Sequence, residues 1–171
     1  VQVGDNKNIL PDGMLDADAS TAFDENGNIK SSTLSYIREG DGVDTLDRVV
    51  KTEKSENKLV YETIEYTNTG SDTLTDIMYN GSIQLLELKG DRASVWHREL
   101  ETPTAGDEWD YVLEEGLMLT AEVGAYDIHG GERGNNYIDT LKPGETVTVH
   151  AAFAVPADKL GEMYLNLDNT G

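Results

Sequence analysis

The chain has 171 residues, with 13 Lys and Arg against 33 Asp and Glu, a formal charge of −20 at pH 7. A surface this negative repels phosphate backbones and anionic bilayers, which excludes electrostatic binding of nucleic acid or lipid as its main role. Cysteine is absent, which removes disulfides, thiolate metal sites and cysteine nucleophiles, and no apolar run approaches the 18 or so residues that cross a bilayer as a helix.

Residues 1–31 carry six acids with scattered apolar residues and no sustained period. They are expected to form an acidic linker or stalk, partly disordered, with room for one short strand. Asp24–Asn28 (DENGN) is a turn signal, since Asn and Gly tolerate positive φ. The chain opens on Val1 rather than Met, which raises the expectation of a processed form with a signal peptide or lipid-anchor cysteine upstream.

From Ser32 the pattern changes to runs of β-branched and aromatic residues punctuated by Gly, Asn, Asp and Pro. This is strand punctuation, and residues 32–171 are read as one domain. Strands are expected near 33–38, 47–54, 58–68, 75–88, 93–98, 117–126, 146–155 and 163–168, which predicts an all-β sandwich or barrel. In TVTVHAAFAV (146–155), Val147, Val149, Ala151, Phe153 and Val155 share one face and His150, Ala152 and Ala154 the other, as in a half-buried antiparallel strand. In KLVYETIEYTN (58–68), Glu62 falls on the face of Val60, Ile64 and Tyr66; a bulge or a strand end would remove that conflict. Residues 99–132 hold ten acids and no Lys or Arg, and suggest an inserted loop in which Asp107–Glu115 forms one or two helical turns, its acidic start favoured by the helix dipole.

Three blocks recur in a telling order: KLVYETIEYTNTG (58–70), LKPGETVTVHAAFAVP (141–156) and MYLNLD (163–168). Pro143 and Gly144 suit a type II turn just before the best strand. Together the blocks resemble the immunoglobulin-like domains of lipoproteins and surface proteins of Gram-positive bacteria (Firmicutes), many of them domains of unknown function. The resemblance covers about residues 58–80 and 138–168, and residues 99–135 have no counterpart in the simpler members. It implies an immunoglobulin-like antiparallel β-sandwich exported to the cell envelope, lipid-anchored in the full-length protein, with a non-enzymatic binding or spacer role and no catalytic residues to carry over.

Candidate sites follow from the residue types. Asp16, Asp18 and Asp24 are weak Ca²⁺ candidates, because Ca²⁺ takes hard oxygen ligands, but an EF-hand frame with Gly27 at its sixth position leaves Ala22 and Thr33 at two essential ligand positions. No cofactor is expected otherwise. His97, His129 and His150 show no metal-binding spacing, and there is no GxSxG motif. A glycosidase-like carboxylate pair is the one enzymatic alternative, though 33 acids make any single pair uninformative. Aromatics in the acidic segment point to an adhesion surface for a glycan or protein: Trp109 and Tyr111, flanked by Glu108 and Asp110, are the expected surface anchor, and Trp96 is the expected core tryptophan. Gly130–Asn136 (GGERGNN) is read as a loop rather than a phosphate cradle.

Overall fold

The computed structural model describes residues 1–15, 19–98, 101–117, 120, 122–126, 134 and 137–170. Among them run eleven strands: β1 (Gln2–Gly4), β2 (Ser32–Arg38), β3 (Arg48–Ser55), β4 (Asn57–Thr67), β5 (Leu74–Lys89), β6 (Arg92–Val95), β7 (Tyr111–Glu115), β8 (Glu122–Tyr126), β9 (Tyr137–Leu141), β10 (Thr146–Pro156) and β11 (Met163–Thr170). Every described pairing is antiparallel, so the all-β expectation holds.

One sheet has the order β1-β4-β10-β8, a second is built on β5 and a third has the order β3-β2-β7. In the second, Met78 pairs with both Thr170 and Tyr137. This places β11 on one edge of β5 and β9 on the other, with β6 pairing the far end of β5 across the Gly90 turn.

The first two sheets pack face to face. Alternation along β5 turns Ile77, Tyr79, Ile83 and Leu85 inward. They meet Val60 of β4, Val147, Val149, Ala151, Phe153 and Val155 of β10, and Ile138 and Leu141 of β9. The expected Pro143–Gly144 turn forms, with Gly144 at φ +76° and Glu145 N–H donating to Lys142 O at 2.9 Å. Buried Asn68 ties this turn to the end of β4: its Nδ2 donates to Asp72 O and Leu141 O, and its backbone exchanges hydrogen bonds with Gly144 and Glu145.

Two expectations about β4 and β10 need correction. β10 is not half-buried throughout, since Ala152 and Ala154, on the face expected to meet solvent, are buried against Met14, Ala22, Phe23 and Ile29. The segment expected to be a stalk therefore supplies the cover for the outer face of the first sheet. β1 pairs with β4, Phe23 bridges Ile29, and Asp5 O accepts from Ile29 N–H at 2.8 Å. The second correction concerns Glu62, which no bulge removes. Pairing runs unbroken through Glu62 and Ala151, and the side chain is 1% exposed with no hydrogen-bond partner for either carboxylate oxygen.

The third sheet has its own small core of Leu34, Tyr36, Trp109 and Val112, with Val50 packed beside it. β7 lies where a short helix was expected: Tyr111–Glu115 pairs with β2, and cross-strand burial of Val112 outweighs the dipole preference of the acids before it. Within the expected strand at 117–126 lies β8, Glu122–Tyr126; residues 118, 119 and 121 lie outside the described residues.

Two outcomes test this architecture. Phe23→Ala should cost about 3 kcal/mol in urea unfolding, the scale of a buried phenylalanine, whereas a residue in a solvated linker would cost under about 0.5 kcal/mol. Burial raises the Glu62 carboxyl above the usual carboxylate range, more than the α-amino group of Val1 lowers it. The folded state then holds this proton to higher pH than the unfolded state, so the associated stability is present at low pH and lost as pH rises through the folded pKa. Glu62→Gln should gain on the wild type as pH rises from 4 until the folded-state Glu62 has ionised, in the same measurement; a constant difference from pH 4 to pH 8 would mean that the Glu62 pKa is the same folded and unfolded.

Candidate functional site

Trp109 does not lie at the surface as expected, and Trp96 takes its expected place in the core only in part. Trp109 is buried, with its ring meeting Tyr36 edge-on at 5.2 Å between centroids. It belongs to the core of the third sheet, and what it leaves uncovered lines a cleft that it shares with Trp96. Its neighbours are committed to the same structure: Asp110 accepts from Arg38 Nη1 and from Glu39 N–H, each at 2.9 Å, and the Tyr111 hydroxyl donates to Asp47. Glu108 is exposed. The sequence placed these four residues correctly as neighbours but not Trp109 at the surface, because flanking acids signal exposure only when the intervening residue does not alternate inward.

Trp96 is the tryptophan that reaches solvent. It follows β6, held to β5 by its N–H donating to Leu85 O at 2.8 Å. One part of the ring packs on the Val60, Leu85 and Phe153 cluster. Lys159 Nζ lies 4.3 Å from the ring centroid and the Arg98 guanidinium 5.1 Å, both within cation–π range.

Arg98 sets the electrostatics beneath this ring. It is buried, donates to Ser55 Oγ at 3.2 Å and lies 3.5–3.6 Å from carboxylate oxygens of Glu114, Glu101 and Asp158. These partners belong to β3, β7, the chain after β6 and the 3-10 turn after β10, so one side chain links the third sheet to the sandwich. Burial raises the Glu114 carboxyl, with Arg98 opposing it.

Three clefts share Trp96 as a wall. The largest, of about 510 Å³, runs between β6 and residues 101–109 and offers Glu87, Glu101, Asp107, Ser94, Thr102 and Thr104 beside the indole. Asp107 is shaped by Thr104, whose N–H and hydroxyl donate to Oδ2 at 2.7 and 2.6 Å and hold the carboxyl below its ordinary pKa. The second cleft is lined by Leu86, Leu88, Lys159 and Tyr164, and the third by Gln84, Val95 and His97. An aromatic face beside carboxylates and hydroxyls can stack an apolar ring face and accept hydrogen bonds from its polar rim.

Of the Ca²⁺ candidates, Asp24 is described and Asp16 and Asp18 lie outside the described residues. Asp24 Oδ1 accepts from the N–H groups of Asn26 and Asn28 at 2.9 and 2.8 Å, which lowers its pKa and closes the Asp24–Asn28 turn. Among the described residues no three His, Asp or Glu side chains converge as metal ligands. His150 is half-buried, with Nδ1 2.7 Å from the Tyr61 hydroxyl. His129 and most of Gly130–Asn136 lie outside the described residues. Compared with known proteins, the chain matches no family model, no curated relative and no solved structure.

The places of the two tryptophans can be read directly. In Trp109→Phe, the remaining indole emission should be quenched readily by acrylamide. In Trp96→Phe it should resist quenching several-fold. Equal quenching in the two variants would contradict the assignment.

Proposed function

We propose that this chain is a non-enzymatic, immunoglobulin-like β-sandwich module of a Gram-positive envelope protein, displayed outside the cell, that binds a glycan through the cleft walled by Trp96. The carrying observation is that cleft: the half-buried Trp96 indole, with Trp109 behind it, among Glu87, Glu101, Asp107 and three hydroxyl side chains. Carboxylates and hydroxyls accept hydrogen bonds from sugar hydroxyls, and the indole face stacks on a pyranose ring. The sandwich and export parts of the reading are supported by the order of the motif blocks. KLVYETIEYTNTG covers β4 and its exit, LKPGETVTVHAAFAVP holds the turn and β10, and MYLNLD opens β11. These strands form the facing sheets, and the third sheet and the N-terminal cover are additions around them.

The test is titration of a panel of soluble oligosaccharides, including cell-wall fragments, into Trp109→Phe, following Trp96 fluorescence. A ligand should shift the emission, and Thr104→Val, which keeps the side-chain volume and removes a hydroxyl from the cleft, should weaken binding by about tenfold, the scale of one lost hydrogen bond. An unchanged spectrum across the panel would overturn glycan binding and leave the spacer role. Release of shortened products during the titration would overturn the non-enzymatic reading in favour of a glycosidase.

A further inference from the structure

Among the described residues β1 and β11 are edge strands of the two facing sheets. Pairing of Gln2 with Tyr61 and Val3 with Val60 sets Val1 beside Glu62, and sets Val1 and Val3 on the face turned toward the second sheet. On β11, Leu165 and Leu167 pair with Ile83 and Gly81 and share their inward face. All four nonetheless remain accessible, at 76% and 48% for Val1 and Val3 and 40% and 46% for Leu165 and Leu167. Their inward direction with outward access describes a slot with apolar lips.

Glu62 lies buried beneath these lips, 1% exposed. A Cβ added at Gly81 would stand 4.0 Å from Glu62 Oε1 and 3.7 Å from Leu167 Cδ2, so the acid lies next to β11 as well as β1. Both its carboxylate oxygens and the Tyr66 hydroxyl are buried without a hydrogen-bond partner. A carboxyl without a hydrogen-bond partner in an apolar setting is costly, and beyond the partial relief from the nearby Val1 α-amino group it gains most from a cation brought in on an apolar stem.

The strand above it is open to pairing. β11 is eight residues long with a single charge, Asp168, and no proline, whereas β3, another edge strand, is guarded by Arg48, Lys51 and Lys54. Edges without charge or proline are those that accept an added strand. The −20 charge of the chain favours a cationic arrival.

We propose that the slot between β1 and β11 binds an extended, lysine-bearing peptide segment of a partner protein, which adds as a strand to β11 and places its lysine ammonium on Glu62 between the lips formed by Val1, Val3, Leu165 and Leu167. This site shares no residue with the 510 Å³ cleft proposed for a glycan, and with the second Trp96 cleft it shares only Tyr164 of β11, so it stands or falls independently of glycan binding.

The probes are two synthetic seven-residue peptides of alternating threonine and valine, one with a central lysine and one with norleucine there. Calorimetry at pH 7 should show the lysine peptide binding at least tenfold tighter, and backbone amide shifts in the wild type should concentrate at residues 163–170. Glu62→Gln, nearly isosteric, should erase the difference between the peptides while retaining the norleucine-level affinity. Equal affinity of the two peptides for the wild type, a lysine advantage that survives in Glu62→Gln, or shifts confined to residues away from β11 would each overturn the proposal. The peptide comparison and the shift map use only the wild-type chain and decide the matter whether or not the variant folds.

Discussion

The fold depends on one ladder, the pairing of β4 with β10 from Asn57–Pro156 to Thr67–Thr146. Both faces of this pair are occupied. Val60, Val149, Phe153 and Val155 meet the β5 sheet on one side, and Leu59, Tyr61, Ala152 and Ala154 meet the N-terminal segment on the other. A central pair covered twice needs two separate sources of apolar surface. In a chain only 37% hydrophobic, that requirement recruits the first thirty residues into the core, although their composition resembles that of a solvated tail. Small residues at 152 and 154 let the second layer approach closely.

What could be read in advance divides along this line. β2 to β5, β10 and β11 were legible because period-two alternation and Pro, Gly and Asn punctuation are local signals, and the Asn68 and Pro143–Gly144 junction was legible for the same reason. The N-terminal cover was not. Met14, Ala22, Phe23 and Ile29 have no period, and they are brought together by turns and by backbone bonds such as Lys7 N–H to Gly27 O, so their burial is a tertiary fact. β7 and β9 were missed because each is short and adjoins a stretch that reads as loop, acids before β7 and Gly and Asn before β9. Glu62 was seen as a conflict and assigned a local remedy. The structure keeps the conflict, which is where local consistency is expected to yield to something else.

The candidate site divides the same way. A neighbourhood of aromatics and acids was visible, but which indole faced outward depended on whether β7 paired with β2, and no feature of Asp107–Glu115 announces that pairing. Arg98 had no sequence signature at all. Its importance comes from position, since a single buried guanidinium meets carboxylates from three separate segments of the chain and the Ser55 hydroxyl from a fourth, and holds the underside of Trp96. Loss of one partner of such a group leaves charge buried without balance, which costs more than the pair contributes when complete. The cleft therefore inherits its shape from an interaction beneath it.

The same β4–β10 ladder has a consequence in time. Its two strands are separated by almost everything that lies between them in the chain, including β5 to β9, and β1 cannot cover β4 usefully until β4 itself is placed. Such long-range pairing delays folding, because loop closure is paid for before contacts reward it. A ribosome or a translocation channel releasing this chain from its N-terminus would deliver β4, acid and all, well before the strand that shelters it. For that interval the growing chain presents an eleven-residue strand whose second edge still lacks β10.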